Sequence, residues 1–288
     1  MTKILRTVAE LRQQVHAWKA DGLKVAMVPT MGALHHAHMS LVTHARTIGH
    51  ADRIVVTIFV NPTQFGPNED FDKYPRQEQQ DVALLKEHKV DILYAPAVSE
   101  MYPPGFATTV QVSGLTSALC GASRPGHFDG VSTVVTKLLL QGLPDCAVFG
   151  EKDYQQLAVI RQSARDLDIP VDILGAPLIR DADGLATSSR NVYLSESERQ
   201  TALLIPRTLQ HITTTLEQGP NALCENVIAK ARRTLQEGGI HNIHYLDIRD
   251  AQTLENITRV HNPARVFIAA QVGTTRLIDN MAINPASV

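Results

Sequence analysis

The chain has 288 residues, with 27 Lys and Arg against 29 Asp and Glu and a net charge of -2. That length buries a real core in one large domain or two smaller ones, and the balanced charge leaves no basic stripe of the kind nucleic acid demands. Cys120, Cys146 and Cys224 lie far apart with no CxxC spacing, which argues against a zinc site or a disulfide framework and fits a reducing cytoplasm.

The N-terminus lacks a signal-like apolar stretch, and no apolar run approaches membrane-spanning length, so a soluble globular protein is expected. Val8, Leu11, Val15 and Trp18 step by three and four, the pattern of an amphipathic helix, which closes near Gly22. Leu23 to Val28 reads as a buried strand. The stretch VPTMGALHHAHMSL, Val28 to Leu41, then turns through Pro29 and Gly32 into a segment with Leu34, Leu41, Ala45 and Ile48 at helical spacing. A strand that turns tightly into a helix presents free backbone N–H groups to an anion such as phosphate. His35 and His38 share a face if that segment is helical.

Arg53 to Val60 reads as a strand buried on both faces. Val82, Leu85 and Lys89 fall on a helix, VDILYAP from Val90 is a third strand, and Thr108 to Val112 is a further extended piece. Val131 to Leu140 fits strand or helix by pattern; its length and Lys137 favour helix. CAVFG ends a strand at Gly150, Tyr154 to Leu167 is a helix, and Val171 to Leu174 is a strand. Such alternation is the signature of an α/β doubly wound parallel sheet.

After about residue 178 the texture changes, with a boundary near Leu178 to Asp183. Ser195 and Glu198 form a capping box, and the helix behind it runs to Gly219 with a kink at Pro206. A second helix runs from Asn221 to Gly238 and Gly239. Short strands at Tyr245 to Ile248 and Arg265 to Ala270 complete a smaller α+β unit.

Ligands of parallel sheets bind outside the C-terminal strand ends. There lie MGALHHAH, then Asn61, Thr63 and Gln64, then Gly150, Glu151, Lys152 and Asp153; Ser188 to Asn191 sits past the boundary. Each has a plainer reading. His35 and His38 fit a surface turn as well as a catalytic site, and no third ligand at metal spacing accompanies them. Asn61 and Gln64 beside Pro62 fit a simple turn. Lys152 and Asp153 fit an ordinary helix start, and Ser188, Ser189 and Arg190 fit the approach to a helix, although two hydroxyls beside a guanidinium also suit phosphate. Arg232 and Arg233 read as a solvated face, and His241 and His244 as structural.

The segments PTMGALHHAH, IFVNPTQF, KYPR at Lys73, RPGHFDGVSTVVTKLL, FGEKDYQQL, DGLATSSRN and VGTTRLIDN span nearly the whole chain. In them the chain resembles the pantothenate synthetase family, nucleotidyltransferases with a Rossmann-like fold and an HxGH-type signature. The resemblance implies a Rossmann-like ATP- and pantoate-binding domain over 1–178 and a smaller C-terminal domain over 179–288 that closes over the active site. It implies ATP-dependent ligation of pantoate and β-alanine through pantoyl adenylate, with Mg²⁺, in a cytoplasmic homodimer that engages neither nucleic acid nor membrane.

Carried onto this sequence, the resemblance implies that Met31, Gly32, Ala33, Leu34, His35, His36, Ala37 and His38 hold ATP, with His38 the catalytic donor. Gly150, Glu151, Lys152, Asp153, Ile179, Thr187, Ser188, Ser189 and Arg190 complete that site. Gln64 and Gln156, with Asn61, meet the acid and amine substrates, and Asp81 falls near the family's magnesium contacts, with Gln80 where some members have an acid. Ala37 replaces the signature glycine, which matters if that position needs positive φ and little if it is ordinary helix. Two other readings are a transferase that leaves the nucleotide on its product and a catalytically silent nucleotide-binding protein.

Overall fold

In the computed structural model, which describes residues 2–66, 71–72, 74–219 and 221–285, strand and helix alternate through the first 176 residues. The strands are β1 (Lys3–Leu5), β2 (Val25–Thr30), β3 (Arg53–Ile58), β4 (Ile92–Tyr94), β5 (Cys146–Gly150) and β6 (Asp172–Ala176). They form one parallel sheet in the order β1-β4-β3-β2-β5-β6. The order reverses between β2 and β5, so the switch point where such sheets bind ligands lies at the end of β2. The edge strand β1, three residues long, is an element that the sequence pattern does not reveal.

The helices are α1 (Val8–Ala20), α2 (His36–Thr47), α3 (Glu78–Glu87), α4 (Val98–Met101), α5 (Leu119–Ser123), α6 (His127–Gly142) and α7 (Tyr154–Asp166). Thr7 caps α1 and its N–H donates to Glu10 at 3.0 Å, a reciprocal capping box. Side chains of β2 alternate between the two faces of the sheet. Ala26 and Val28 join Met39, Val42, Ala45 and Leu85 from α2 and α3 in one apolar cluster, while Met27 meets α6 at Gly142, where a Cβ would come 2.3 Å from its methyl carbon. Asp52, Asp91 and Asp145 each accept a backbone N–H of a neighbouring strand or of the residue that leads into it, from Lys24, Ile54 and Val25, at 2.8–2.9 Å.

The ambiguous Val131 to Leu140 segment is helical. Gly126 at φ 79 opens it and Leu143 at φ 41 closes it. Buried residues line the helix all round, so the apolar run reflects an interior helix, not a strand. Thr108 to Val112 forms no strand; instead the Val110 N–H donates to the Thr133 hydroxyl at 2.9 Å.

Packing groups the chain into two compact units, Met1–Thr116 with Arg124–Pro177, and Ser117–Ser123 with Leu178–Val288. The second unit holds α8 (Glu196–Ala202), α9 (Leu204–Gln218), α10 (Cys224–Glu237) and an antiparallel sheet of β7 (Asn242–Asp250), β8 (Ala264–Val272) and β9 (Thr275–Ile283). Ile205, Leu209, Ile212 and Leu216 of α9 pack with Leu246, Val266 and Ile268 of the sheet. The expected kinked helix is two helices, and Pro206 lies in the first turn of α9, where a missing N–H costs nothing. The second of the expected helices starts at Cys224, after Asn221. The two short strands expected are three strands of nine residues, because β9 pairs with β8 along its length despite carrying Arg276, Asp279 and Asn280. Among the described residues no helix is long and apolar enough to cross a membrane.

Candidate active site

Three adjacent strands, β3, β2 and β5, end in the polar motifs. At the end of β2 the Thr30 hydroxyl donates to the Thr57 carbonyl at 2.6 Å and accepts the Gly32 N–H at 3.2 Å. The chain then passes through two left-handed residues, Gly32 at φ 85 and Ala33 at φ 51, before α2 begins. Glycine takes such a conformation freely, but an alanine there is strained and must be held.

The holder is Asp81. Its Oδ2 accepts the Ala33 N–H at 3.1 Å and its Oδ1 the Leu34 N–H at 2.8 Å, and the residue is 2% exposed. The turn was expected to offer free N–H groups to an anion, yet a carboxylate from α3 already occupies these two. Asp81 also fits poorly as a magnesium ligand. Mg²⁺ needs accessible carboxylate oxygens and room for its waters, whereas both Asp81 oxygens face backbone donors. Gln77 Nε2 approaches Oδ1 at 3.4 Å as well. Among the described residues no group of three His, Cys, Asp or Glu side chains could hold a metal.

His35 precedes α2 in extended conformation, and its ring centroid lies 4.1 Å from that of His38. The His35 N–H donates to His38 Nδ1 at 3.2 Å. An Nδ1 that accepts leaves a neutral imidazole with its proton on Nε2. Dense packing around the ring, reinforced by the positive charge of His35, Lys152 and His36, pushes the His38 pKa down to about 3 although part of the residue touches solvent. At neutral pH His38 is therefore a neutral hydrogen-bond donor. The influence of Lys152 also ties the end of β5 to that of β2. Ala37 sits inside α2 with no positive φ, so the left-handed geometry of this turn falls at Gly32 and Ala33 instead.

At the end of β3, Asn61 is fully buried. Its Oδ1 accepts from the Tyr102 hydroxyl at 2.9 Å, the Thr63 hydroxyl at 3.0 Å and the Thr63 N–H at 3.3 Å, and its Nδ2 donates to the Gly130 carbonyl at 3.1 Å. The amide is committed to the scaffold, the turn-building role that Pro62 signalled. A Cβ on Gly130 would sit 2.4 Å from the Thr63 carbonyl oxygen, so only glycine lets α6 approach this turn. Gln64 is partly exposed, and its carbonyl is gripped by His127 Nδ1 at 2.9 Å and Arg124 Nη2 at 3.3 Å. Arg124 and His127 belong to the RPGHFDG segment, where sequence reading assigned them no role. The glycine before His127 was the available signal.

At the end of β5, Gly150 leads into a 3-10 turn, Glu151–Asp153, and Lys152 lies 3.7 Å from Asp153. Of the following glutamines, Gln155 is buried and donates to the Leu115 carbonyl at 2.8 Å, whereas Gln156 is more open. Lys73 of the KYPR segment lies outside the described residues.

In the second unit, Ile179 and Thr187 are joined by a backbone hydrogen bond of 3.0 Å across a turn with Gly184 at φ 95. Arg180 forms a two-pronged ion pair with Asp279 of β9 at 2.7 and 3.0 Å. Asp181 accepts from the Thr187 hydroxyl at 2.6 Å, Arg199 at 2.9 Å and Asn191 at 3.2 Å. Burial works against its ionisation, but these hydrogen bonds prevail and hold its pKa below the usual carboxylate value. Ser188 accepts the Arg190 N–H at 3.3 Å and opens a 3-10 turn, Ser189–Tyr193.

A family profile described as pantoate-beta-alanine ligase matches residues 3–282. The chain belongs to the pantoate-beta-alanine ligase family. It is 55% identical over 284 residues to the pantothenate synthetase of Paramagnetospirillum magneticum, covering 98% of each chain. It is 52% identical to that of Rhizorhabdus wittichii, covering 99% of each. The crystal structure of pantothenate synthetase from Thermus thermophilus superposes with a TM-score of 0.90 at 44% identity, over 99% of this chain and 100% of that one. The Francisella tularensis pantoate-beta-alanine ligase, solved with β-γ ATP and β-alanine, superposes at 0.77 with 34% identity over 98% and 97%. As a pantoate-beta-alanine ligase, the chain is an ATP-dependent enzyme that joins pantoate to β-alanine.

Proposed function

We propose that this ligase works in two steps at the ends of β2, β3 and β5, through pantoyl adenylate. In the first, an oxygen of the pantoate carboxylate bonds to the α-phosphorus of ATP and the bond to pyrophosphate breaks. In the second, the amine of β-alanine, its proton given up to solvent, bonds to the acyl carbon, and AMP leaves. A carboxylate is already a nucleophile at neutral pH. The first step therefore needs alignment and stabilisation of phosphate charge more than a base.

The observation that carries this reading is the state of His38. A neutral ring with its proton on Nε2, beside Lys152, donates to a phosphate oxygen as charge grows there and keeps doing so across the physiological pH range. We assign the triphosphate to His35, His38 and Lys152, with Ser188, Ser189 and Arg190 as further phosphate contacts. Gly150 and Asp153 take the ribose, Ile179 the adenine, and Gln64 and Gln156 the pantoate. Asn61 supports Gln64 through its carbonyl, which accepts the Gln64 N–H at 3.2 Å. Mg²⁺, if carried by ATP, would supply further charge neutralisation beside these residues. A homodimer in a reducing cytoplasm is the assembly we assign, and the wide spacing of Cys120, Cys146 and Cys224 along the chain suits it.

Pyrophosphate and AMP release, measured with pantoate and with or without β-alanine, tests the scheme. Pantoate alone should give about one pyrophosphate per site and no free AMP; adding β-alanine should give both continuously. A stable adenylyl product that β-alanine does not discharge would overturn it. ATP binding without any release would reduce the chain to a nucleotide-binding protein.

A further inference from the structure

We propose that Asp81 is a positioning residue, a fixed anion supplied by the protein around which the Gly32 to Leu34 turn is folded, and that it is not a magnesium ligand. Successive backbone N–H groups in a tight turn make a concave anion site. Here the anion is a side chain 47 and 48 positions further along the chain.

Three observations meet at this carboxylate. Each oxygen takes one N–H of the turn, and the residue is 2% exposed. Gly32 is shaped to it, since a Cβ there would lie 3.2 Å from Asp81 Oδ2 and 3.1 Å from Ile58. Ala33, at φ 51, holds a conformation that an L-residue keeps only when its surroundings impose it. The carboxylate is itself anchored. Asp81 stands in the first turn of α3, and Leu85, one turn later, is fully buried in the core beneath the sheet.

The consequence reaches the reacting end of the site in two bonds. Asp81 fixes the Leu34 N–H, and the next N–H along, that of His35, donates to His38 Nδ1. The clasp thus sets the backbone that fixes which nitrogen of His38 carries the proton. It also fills the N–H groups of Ala33 and Leu34 before substrate arrives, which leaves phosphate recognition at this turn to the histidine side chains. The turn is preorganised, so its ordering entropy is already met during folding. The catalytic part rests on the assignment of His38 to the phosphate; the clasp itself does not.

The test uses the full chain, with Asp81→Ala, Asp81→Asn and His38→Ala side by side. Backbone amide exchange is read at Ala33 and Leu34 without Mg²⁺, and kcat is read across a Mg²⁺ titration. In the parent both amides should be protected without the metal. Asp81→Ala should lose that protection and roughly ten- to hundredfold in kcat, the cost of a misplaced catalytic group, with the midpoint of Mg²⁺ activation unmoved. Asp81→Asn, which keeps one carbonyl acceptor, should fall between the two. It also serves if the alanine variant does not fold. Unprotected amides in the parent, or a several-fold shift of the Mg²⁺ midpoint with exchange unchanged, would overturn the clasp. A full rate in His38→Ala with protection intact would instead bring down the reading of His38 and leave the clasp standing.

Discussion

Two turns carry the groups assigned to phosphate, and they are held by opposite means. The turn from Met31 to His35 is held by backbone N–H groups on one buried carboxylate, with His38 neutral beside it. The turn from Ile179 to Arg190 is held by ion pairs: Arg180 with Asp279, and Arg199 with Asp181 and Asp183. The first holds a strained backbone shape and a tautomer. The second holds a longer loop through side chains that are partly open to solvent, with Arg199 27% exposed. Under the proposed assignment, the chemistry that tolerates little displacement falls to the first turn, and the second supplies charge.

The largest effect expected from breaking the contrast is at His38. Removing one donor that faces developing charge costs about 100- to 1000-fold in rate, so His38→Ala should lose that much in single-turnover pyrophosphate release while its thermal unfolding stays close to the parent's. Equal release would place the catalytic donor elsewhere. Asp279→Ala should do the reverse. It leaves the Arg180 guanidinium without its carboxylate, and breaking a largely buried pair costs on the order of 3 kcal/mol. Denaturant unfolding should show that loss, together with a raised KM for ATP and a smaller change in kcat.

Acid separates the two turns further. The unfolded chain protonates His38 near 6.5, whereas the folded chain resists until about 3. Stability present above pH 6.5 is thus lost as pH falls through that window, at about 1.4 kcal/mol per pH unit for one proton. Asp181 has its pKa lowered from 3.8, so its contribution is present above that value and is lost only below it. Unfolding measured at pH 6.5 and 4.5 should show the slope in the parent and in Asp181→Asn, and a flatter slope in His38→Gln. A slope that survives the glutamine would mean that His38 is not the group refusing the proton.

The same contrast explains what the sequence disclosed. β2, β3 and β5 are buried runs of Val, Ile, Ala and Met, and a strand buried on both faces announces itself by composition. The motifs at their ends were legible because a parallel sheet brings its strand ends together. β9 was not legible as a strand. Arg276, Asp279 and Asn280 break its apolar pattern, and the buried Asp279 is paired with Arg180, 99 positions earlier. The resemblance puts Asp81 near the magnesium contacts, but its closest partners are the main-chain N–H groups of Ala33 and Leu34, which no sequence displays. Asn61 and Gln64 looked alike on paper; their difference, one amide saturated and the other partly open, comes from Tyr102 and Gly130, which no local pattern brings near.

The smallest expected effect concerns the residue where the chain departs from its signature. Ala37 is the second residue of α2, and the positive φ values of this turn belong to Gly32 and Ala33. Glycine at a helical position widens the unfolded ensemble and gains no conformation that the fold uses. Ala37→Gly should therefore lower stability by about 1 kcal/mol at most and leave KM for ATP within about twofold of the parent. A large gain in ATP affinity would mean that the methyl group stands where phosphate must approach, so that steric room at Ala37 limits this turn and not the clasp at Asp81. The two are separable in one experiment, because Ala37→Gly leaves the Ala33 and Leu34 amides protected and Asp81→Ala does not.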